Sequence, residues 1–512
     1  MKTDDGPLLI VGWDSGTYEL LSEFEADLEA LGRIRSDGVY GDLRTVHPPG
    51  TVPGWPCITT GMNPGKINTQ SLAPFRKDEF QPNTGEENIE LWDVVDHAGG
   101  TSCVVNIPTV VDAYDVDGAM IAGFLSTGES TNLHPPDLTE RLNVDTDLHI
   151  DWEDVDRETD IFTAAMDIAE TRFDLVTALM REYDWDLFVV NFDAPDRIGH
   201  SRLKYMDEDH PFYTERGHER FGDDLRQCYA RLDEMLDDLL PEAGNVFVIS
   251  DHGMEPCHRR FNINDWLVEN GYLVLEEESD TSPSASTRLL GTVKHLLTRY
   301  GLVDYVPETL KRKSVVSRVD NTRHISETGV DWDATTAYMS AVYGGIDVIA
   351  DDRAAAKEQL TRDLESIDDP SMTVLDSRDM YHGPNIENVP DLFLEFDDYV
   401  LPTNQIGAAS LLEPSSTGGK HSMDGIFAAA GPAIDDVGEI EGASVLDITP
   451  TALHLLGCPI PTEVDGDVLD ILATDRDPEI RDLDIDLDKG RDVMSDEEKE
   501  EVMETLEDIG YM

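Results

Sequence analysis

Short runs of consecutive apolar residues, rich in β-branched side chains, alternate along the chain with longer stretches whose apolar positions recur at helical spacing. Leu8 to Trp13, Ser102 to Ile107, Trp185 to Phe192, Val246 to Ile249, Pro390 to Phe396 and Ile426 to Ala430 read as strands. Runs as unbroken as Val246 to Ile249 imply burial on both sheet faces. The 3.6-residue pattern predicts helices over about Tyr18 to Leu31, Ile89 to His97, Thr159 to Tyr183, His218 to Leu240, Phe261 to Tyr272, Ala354 to Ile367 and Leu446 to Leu456. Proline near its start and glycine just past its end frame a shorter helix from Pro53 to Thr60, with Thr51 at or before the N-cap. Thr109 to Gly128, including the apolar patch Ala119 to Phe124, reads as loop, as does the acid- and serine-rich stretch Glu276 to Thr287. Asp333 to Asp352 is strand-like. This alternation predicts an α/β fold with a doubly wound, mainly parallel sheet.

The strands also stop alike. Leu8 to Trp13 runs into Asp14, Val246 to Ile249 into Asp251 and His252, and the Trp185 strand into a turn carrying Asp196 and His200. In open parallel sheets ligands bind beyond the carboxyl ends of the strands, where these groups sit. Asp196 and His200 are four apart, so one helical turn can aim both at a single ion. Each signal has a plainer explanation when taken singly: an Asp after a strand caps the next helix, and D-x-x-x-H is also the spacing of a helix-surface ion pair. Thr51 at a helix start is a cap or a hydroxyl placed beside phosphate-binding backbone N–H groups. His421 falls in the Gly-rich segment Gly418 to Gly425, which reads as a loop placed to reach a site. Collected, Asp14, Asp196, His200, Asp251, His252 and His421 divide into two three-ligand sets, and the Thr51 hydroxyl is left over as a nucleophile.

Charge narrows the picture. Asp and Glu number 107 against 38 Lys and Arg, a net charge of -69, which argues against a nucleic-acid polymer or an anionic membrane as partner. With 40% hydrophobic residues the chain can fold, so the acid excess reads as a halophilic, strongly solvated surface. Five scattered cysteines without C-x-x-C spacing, and acids at the N-terminus where a signal peptide needs positive charge, predict reduced thiols in a cytoplasmic protein. The first apolar run is too short to cross a bilayer. Basic residues gather between Arg288 and Arg323, including Lys311, Arg312 and Lys313, either as local charge balance or as contacts for an anionic substrate. An Asp-rich run from Asp475 precedes a short final helix with the capping box Ser495 to Glu498.

Several motifs occur together and in order: Thr51-Val52-Pro53 with Thr60-Gly61, Pro195-Asp196 with Gly199-His200, Asp251-His252-Gly253-Met254, then His421, Gly431-Pro432 and Asp447-Ile448-Thr449-Pro450-Thr451. The set resembles the alkaline phosphatase superfamily, most closely its type I phosphodiesterase/nucleotide pyrophosphatase branch. The resemblance implies a sheet of alkaline-phosphatase type, with residues 1–254 and 385–474 as the core, 255–384 as an inserted cap, and 475–512 as an acidic extension. It implies one metal on Asp196, His200 and His421 and a second on Asp14, Asp251 and His252 with Thr51, about 4 Å apart. Thr51 would attack phosphorus, and the resulting phospho-threonine would be hydrolysed. Mixed imidazole and carboxylate donors suit Zn²⁺ best and Mn²⁺ next. The substrate implied is a small anionic phosphate ester, with Lys420, Lys311, Arg312 and Lys313 as candidate contacts. The branch usually has Lys-His-Gly where this chain has Lys66-Ile67-Asn68, and Ser71-Leu72 stands where a phosphate-binding Asn is expected. A phosphomonoesterase, a cofactor-independent phosphomutase and an inactive metal-binding protein are the alternatives on the same core.

Overall fold

The computed structural model describes residues 6–67, 88–123, 126, 132–142, 144, 159–276, 323–325, 328–339, 343, 345–367, 369, 371–397, 399–408, 410–485 and 487. Ser71-Leu72, most of the Glu276 to Thr287 loop, the basic triplet Lys311, Arg312 and Lys313, and the C-terminal helix lie outside the described residues.

A ten-stranded sheet forms the centre. Its strands include β1 (Leu8–Trp13), β2 (Val39–Arg44), β3 (Ser102–Ile107), β4 (Gly118–Ala122), β5 (Leu187–Phe192), β6 (Asn245–Ile249) and β7 (Asp424–Ala430). Across the sheet these run in the order β2, β7, β6, β1, β5, β3, β4, with short strands at both edges. The pairs of β1 with β5 and β6, and of β3 with β4 and β5, are parallel, whereas β7 runs antiparallel to β2 and β6. The class is therefore α/β with a mainly parallel sheet.

Alternation within the buried strands feeds two cores. Leu9, Val11 and Trp13 of β1 join one cluster, together with α1 (Glu29–Asp37), α2 (Ile161–Glu182) and α3 (Asp224–Leu239). Leu8 and Ile10 face the other, which holds Trp55, Ile58, Trp92 and the helix Ile448–Leu455. Because both faces are covered, β1, β3, β5 and β6 are buried at every position. A third cluster, with Phe261, Leu267, Ile346, Leu360 and Phe396, lies against a separate antiparallel sheet built from Ala337–Met339, Gly345–Val348, Leu392–Phe396 and Met372–Asp376.

Several expectations are corrected. The apolar patch after Gly118 is the buried strand β4, paired with β3; flanking polar residues disguise a short strand covered on both faces. The pattern over Tyr18 to Leu31 breaks into Tyr18–Ser22, a 3₁₀ turn at Glu25–Asp27 and α1. Asp233, reaching over from α3, accepts the backbone N–H groups of Ala30 and Leu31 at 2.8 Å each and so starts α1 afresh. His218 to Leu240 is likewise two helices, Glu215–Phe221 and α3, and Phe261-Asn262 belongs to the strand Arg259–Asn262 ahead of the helix Ile263–Glu269. β2, whose alternating burial marks a half-covered strand, had no counterpart in the sequence reading. The five cysteines are buried and form no disulfide, and among the described residues no helix is long and apolar enough to cross a membrane.

Candidate active site

Three neighbouring strands end level with one another: Trp13 of β1 pairs with Phe192 of β5, and Gly12 pairs with Ile249 of β6. Beyond these ends stand Asp14, then Asp251 and His252, then a helix, α4 (Ala194–Arg202), that carries Asp196 and His200 one turn apart. Asp193, at the start of α4, is buried between Arg172 Nη1 and Arg197 Nε, each 2.6 Å from a carboxylate oxygen. Burial pushes the Asp193 carboxyl up, but the two guanidinium charges hold it well below the usual carboxylate range.

His421 sits on a strand, β8 (Gly419–Ser422), not in a loop. That strand pairs antiparallel with the sequence-distant strand Gly253–Pro256, placing His421 opposite Met254. The glycines around it serve close approach: a Cβ at Gly419 would lie 2.7 Å from Met254 Sδ, and one at Gly199 of α4 would lie 2.0 Å from the same sulfur. Thr51 is the first residue of α5 (Thr51–Thr60), with Gly50 as N-cap; Pro53 is inside the helix rather than at its start.

The seven residues singled out for metal and catalysis all come together. Thr51 Oγ1 lies 3.1 Å from His252 Nε2 and 3.4 Å from Asp14 Oδ1. His252 Nε2 is 3.3 Å from Asp251 Oδ2 and 3.6 Å from Asp14 Oδ1. His200 Nε2 and His421 Nε2 are 3.0 Å apart, at 3.3 and 3.2 Å from Asp196 Oδ1. Asp14, Asp196 and His252 form one group and Asp196, His200 and His421 another, each with ligand atoms within 4.8 Å of one another, so Asp196 faces both.

The three imidazoles share one arrangement. Nδ1 of His200 faces the Gly419 carbonyl at 2.9 Å, that of His421 the Pro49 carbonyl at 3.2 Å, and that of His252 the Gly253 carbonyl at 3.0 Å. A carbonyl only accepts, so each Nδ1 carries the proton and each Nε2 offers a lone pair to the cluster. Two bare nitrogens 3.0 Å apart repel unless a cation lies against both. Burial pushes the Asp14 carboxyl well up, aided by the charges of Asp251 and Asp196, and lifts Asp251 to about 7, aided by Asp196. Burial likewise lowers His252 and His421. Asp196 is held below the carboxylate range despite its own burial, by His200 and His421. Both Asp251 oxygens are buried and have no partner at full hydrogen-bond geometry, with the Ser15 backbone N–H and the Asp14 carboxyl beside them. A hard or borderline divalent cation fits this donor set: it would neutralise the crowded carboxylates, use the Nε2 lone pairs and occupy the Asp251 oxygens.

Two further residues at the site escaped the sequence reading. Asn191 donates from Nδ2 to Asp14 Oδ2 at 3.0 Å; its signal was a lone polar residue inside the apolar strand β5. Ser15 donates to Asp196 Oδ1 at 2.6 Å, and nothing in the sequence distinguished it from a turn residue. Lys420 is buried and ion-paired with Glu255, its partner across the antiparallel ladder. Both line a cavity of about 440 Å³ beside His421, whose wall also includes Arg44, His47, Tyr343 and Glu395.

A family model described as type I phosphodiesterase / nucleotide pyrophosphatase matches residues 8–424. Among solved structures, human ectonucleotide pyrophosphatase / phosphodiesterase 5 is similar over 91% of this chain and 100% of its own, at 14% identity and a TM-score of 0.50. The murine protein of the same name, an inactive variant in complex with AMP, is similar over the same shares at 13% identity and a TM-score of 0.50. At such identities the likeness is one of fold. No curated protein matches the sequence.

Proposed function

The chain belongs to the type I phosphodiesterase/nucleotide pyrophosphatase family and is a phosphoric ester hydrolase, and from that premise we propose that it cleaves small phosphate diesters through a phospho-threonine on Thr51. One observation carries the reading: the Thr51 hydroxyl, at the first position of a ten-residue helix, lies among the six converging Asp and His side chains. Asp196, His200 and His421 would hold one divalent ion and Asp14, Asp251 and His252 the other, Zn²⁺ or Mn²⁺. When bound, such a pair supplies positive charge at the attacking and leaving oxygens of an in-line displacement.

The chain's own part follows from its geometry. The first turn of α5 turns its N–H groups and positive dipole end toward the same point as the hydroxyl, favouring a phosphate oxygen there. Asp14 and His252 are the acceptors beside Thr51 Oγ1 and orient its proton away from an incoming phosphorus. Oγ1 then gives up its proton to the acceptor beside it and bonds to phosphorus as the bond to the departing alkoxide breaks, and the alkoxide takes up a proton and leaves as the alcohol. Water cleaves the phospho-threonine and restores the hydroxyl.

Thr51→Ala should reduce turnover of bis(p-nitrophenyl) phosphate to background while metal content, measured by elemental analysis, stays at the wild-type value. Turnover above a tenth of wild type in that variant removes Thr51 as nucleophile. For substrate choice we propose the segment 255–384 as a cap, with Lys420, Lys311, Arg312 and Lys313 contacting the anionic substrate. AMP in the murine complex is a ligand of this small phosphate-ester class. Joint replacement of Lys311, Arg312 and Lys313 by Ser should lower kcat/KM on a nucleotide diester while sparing the small chromogenic one; equal values on both assign the triplet to the surface.

A further inference from the structure

The residue after Asp14 has a conformation that its side chain makes costly. Ser15 has φ +64°, in the left-handed region where a Cβ crowds the backbone and glycine sits without strain. The turn is tight, with Gly16 N donating to the Trp13 carbonyl at 2.9 Å, and Ser15 is 1% exposed. A glycine would satisfy that backbone better, so the hydroxyl is where a compensating gain has to lie.

The hydroxyl touches both halves of the site. Oγ donates to Asp196 Oδ1 at 2.6 Å and lies 3.2 Å from His252 Nδ1. Serine has one hydroxyl proton, and with that proton on Asp196 the oxygen faces His252 only as an acceptor. The imidazole must therefore present Nδ1–H, shared between Ser15 Oγ and the Gly253 carbonyl at 3.0 Å. Nε2 is left bare toward Thr51, 3.1 Å away. The same oxygen of Asp196 that Ser15 bonds also faces His200 and His421. One hydroxyl thus orients a carboxylate on α4 and, together with the Gly253 carbonyl, holds the imidazole beyond β6 by its Nδ1–H.

We propose that Ser15 is a positioning residue that couples the two proposed metal sites, holding Asp196 and His252 in the orientations in which both accept a cation. The inference rests on the ligand assignment given above. Loss of a hydrogen-bond partner behind a ligand typically weakens metal binding about 10–100-fold.

Ser15→Gly separates the hydroxyl from the backbone, because it removes the hydrogen bonds while relieving the left-handed strain. Zn²⁺ affinity is measured on the full chain by competition with a chromogenic chelator, and the visible absorption of the Co²⁺-loaded protein reports ligand geometry. The expected result for Ser15→Gly is a Zn²⁺ Kd raised by about 10-fold or more, a changed Co²⁺ spectrum, and a metal-free unfolding midpoint equal to or above that of wild type. Ser15→Ala, which keeps the strain, should show the same rise in Kd with a lower midpoint, and supplies the test if the glycine variant fails to fold. Wild-type Kd and spectrum in the folded variants overturn the proposal. A wild-type protein that takes up no Zn²⁺ or Co²⁺ overturns the metal assignment itself, a separate failure.

Discussion

His210 shows how one residue outside the cluster sets the position of a group inside it. Its Nε2 donates to the carbonyls of Cys257 at 2.8 Å and Thr417 at 3.1 Å, and its Nδ1 accepts from Phe212 N at 3.1 Å. Those carbonyls lie together just past one end of the two-stranded ladder that carries His421, where Pro256 pairs with Gly419. Nε2–H can donate from either form of the ring, but accepting from Phe212 N requires a bare Nδ1 and so the neutral form; burial lowers the His210 pKa to about 4, outweighing the two carbonyls, which raise it. A folded pKa below the unfolded value near 6.5 means that the unfolded chain takes up a proton first as pH falls. The contribution of His210 is therefore complete above pH about 6.5 and declines toward pH about 4. Relative to His210→Gln, which keeps a donor but does not titrate, wild type should lose on the order of 2 kcal/mol of unfolding free energy between pH 7 and pH 5. Urea unfolding of both proteins at the two pH values measures this, and a gap that does not move sinks the argument. At this scale the sequence was informative where chemistry is conspicuous. Asp251-His252 at the end of an apolar run and D-x-x-x-H on one turn mark candidate ligands, whereas a serine in a turn or an asparagine in a strand acts through a partner more than a hundred residues away.

Elements were legible where the pattern is continuous. β3 emerged with the bounds read from its apolar run, and α2 runs Ile161–Glu182 against an expected Thr159 to Tyr183. The failures share a cause, which is that a distant group decides a local boundary. Asp233 on α3 restarts α1, and Met254 on the strand paired with β8 requires the glycines that made β8 resemble a loop. β4 is a strand because β3 supplies hydrogen bonds and both cores cover it, and neither is visible in five residues of sequence. The antiparallel insertion of β7 between β2 and β6 is of the same kind: the apolar run predicts a strand, but not its direction. These placements matter for chemistry, since β7 and the pairing of β8 with Gly253–Pro256 bring His421 from far along the chain to His200.

For the molecule as a whole, charge is the dominant unbalanced quantity. Even if every one of the 38 basic residues took a separate acid as partner, 69 carboxylates would remain without one. Among the described residues several ion pairs, such as Arg33 with Asp237 and Arg362 with Glu358, have both partners exposed, where a pair contributes about 0–1 kcal/mol and is screened by salt. Folding gathers the unpaired carboxylates onto one compact surface, so their mutual repulsion is greater in the folded than in the expanded chain. Screening decides its size: the Debye length is about 3 Å at 1 M salt and about 10 Å at 0.1 M, so the repulsion between carboxylates reaches several times farther at low salt. The two hydrophobic cores flanking the sheet do not change with salt over that range, so the balance shifts against the folded state as salt is withdrawn. We therefore predict that the thermal unfolding midpoint falls when the protein is dialysed from 3 M to about 0.1 M KCl, with most of the fall below about 0.5 M, where the Debye length lengthens fastest. Calorimetry across a KCl series tests this, with an equal-osmolality sucrose series to separate screening from solvent exclusion. A midpoint that does not move with KCl, or that sucrose restores as fully as KCl does, would remove surface repulsion as the cause and with it the halophilic reading of the composition.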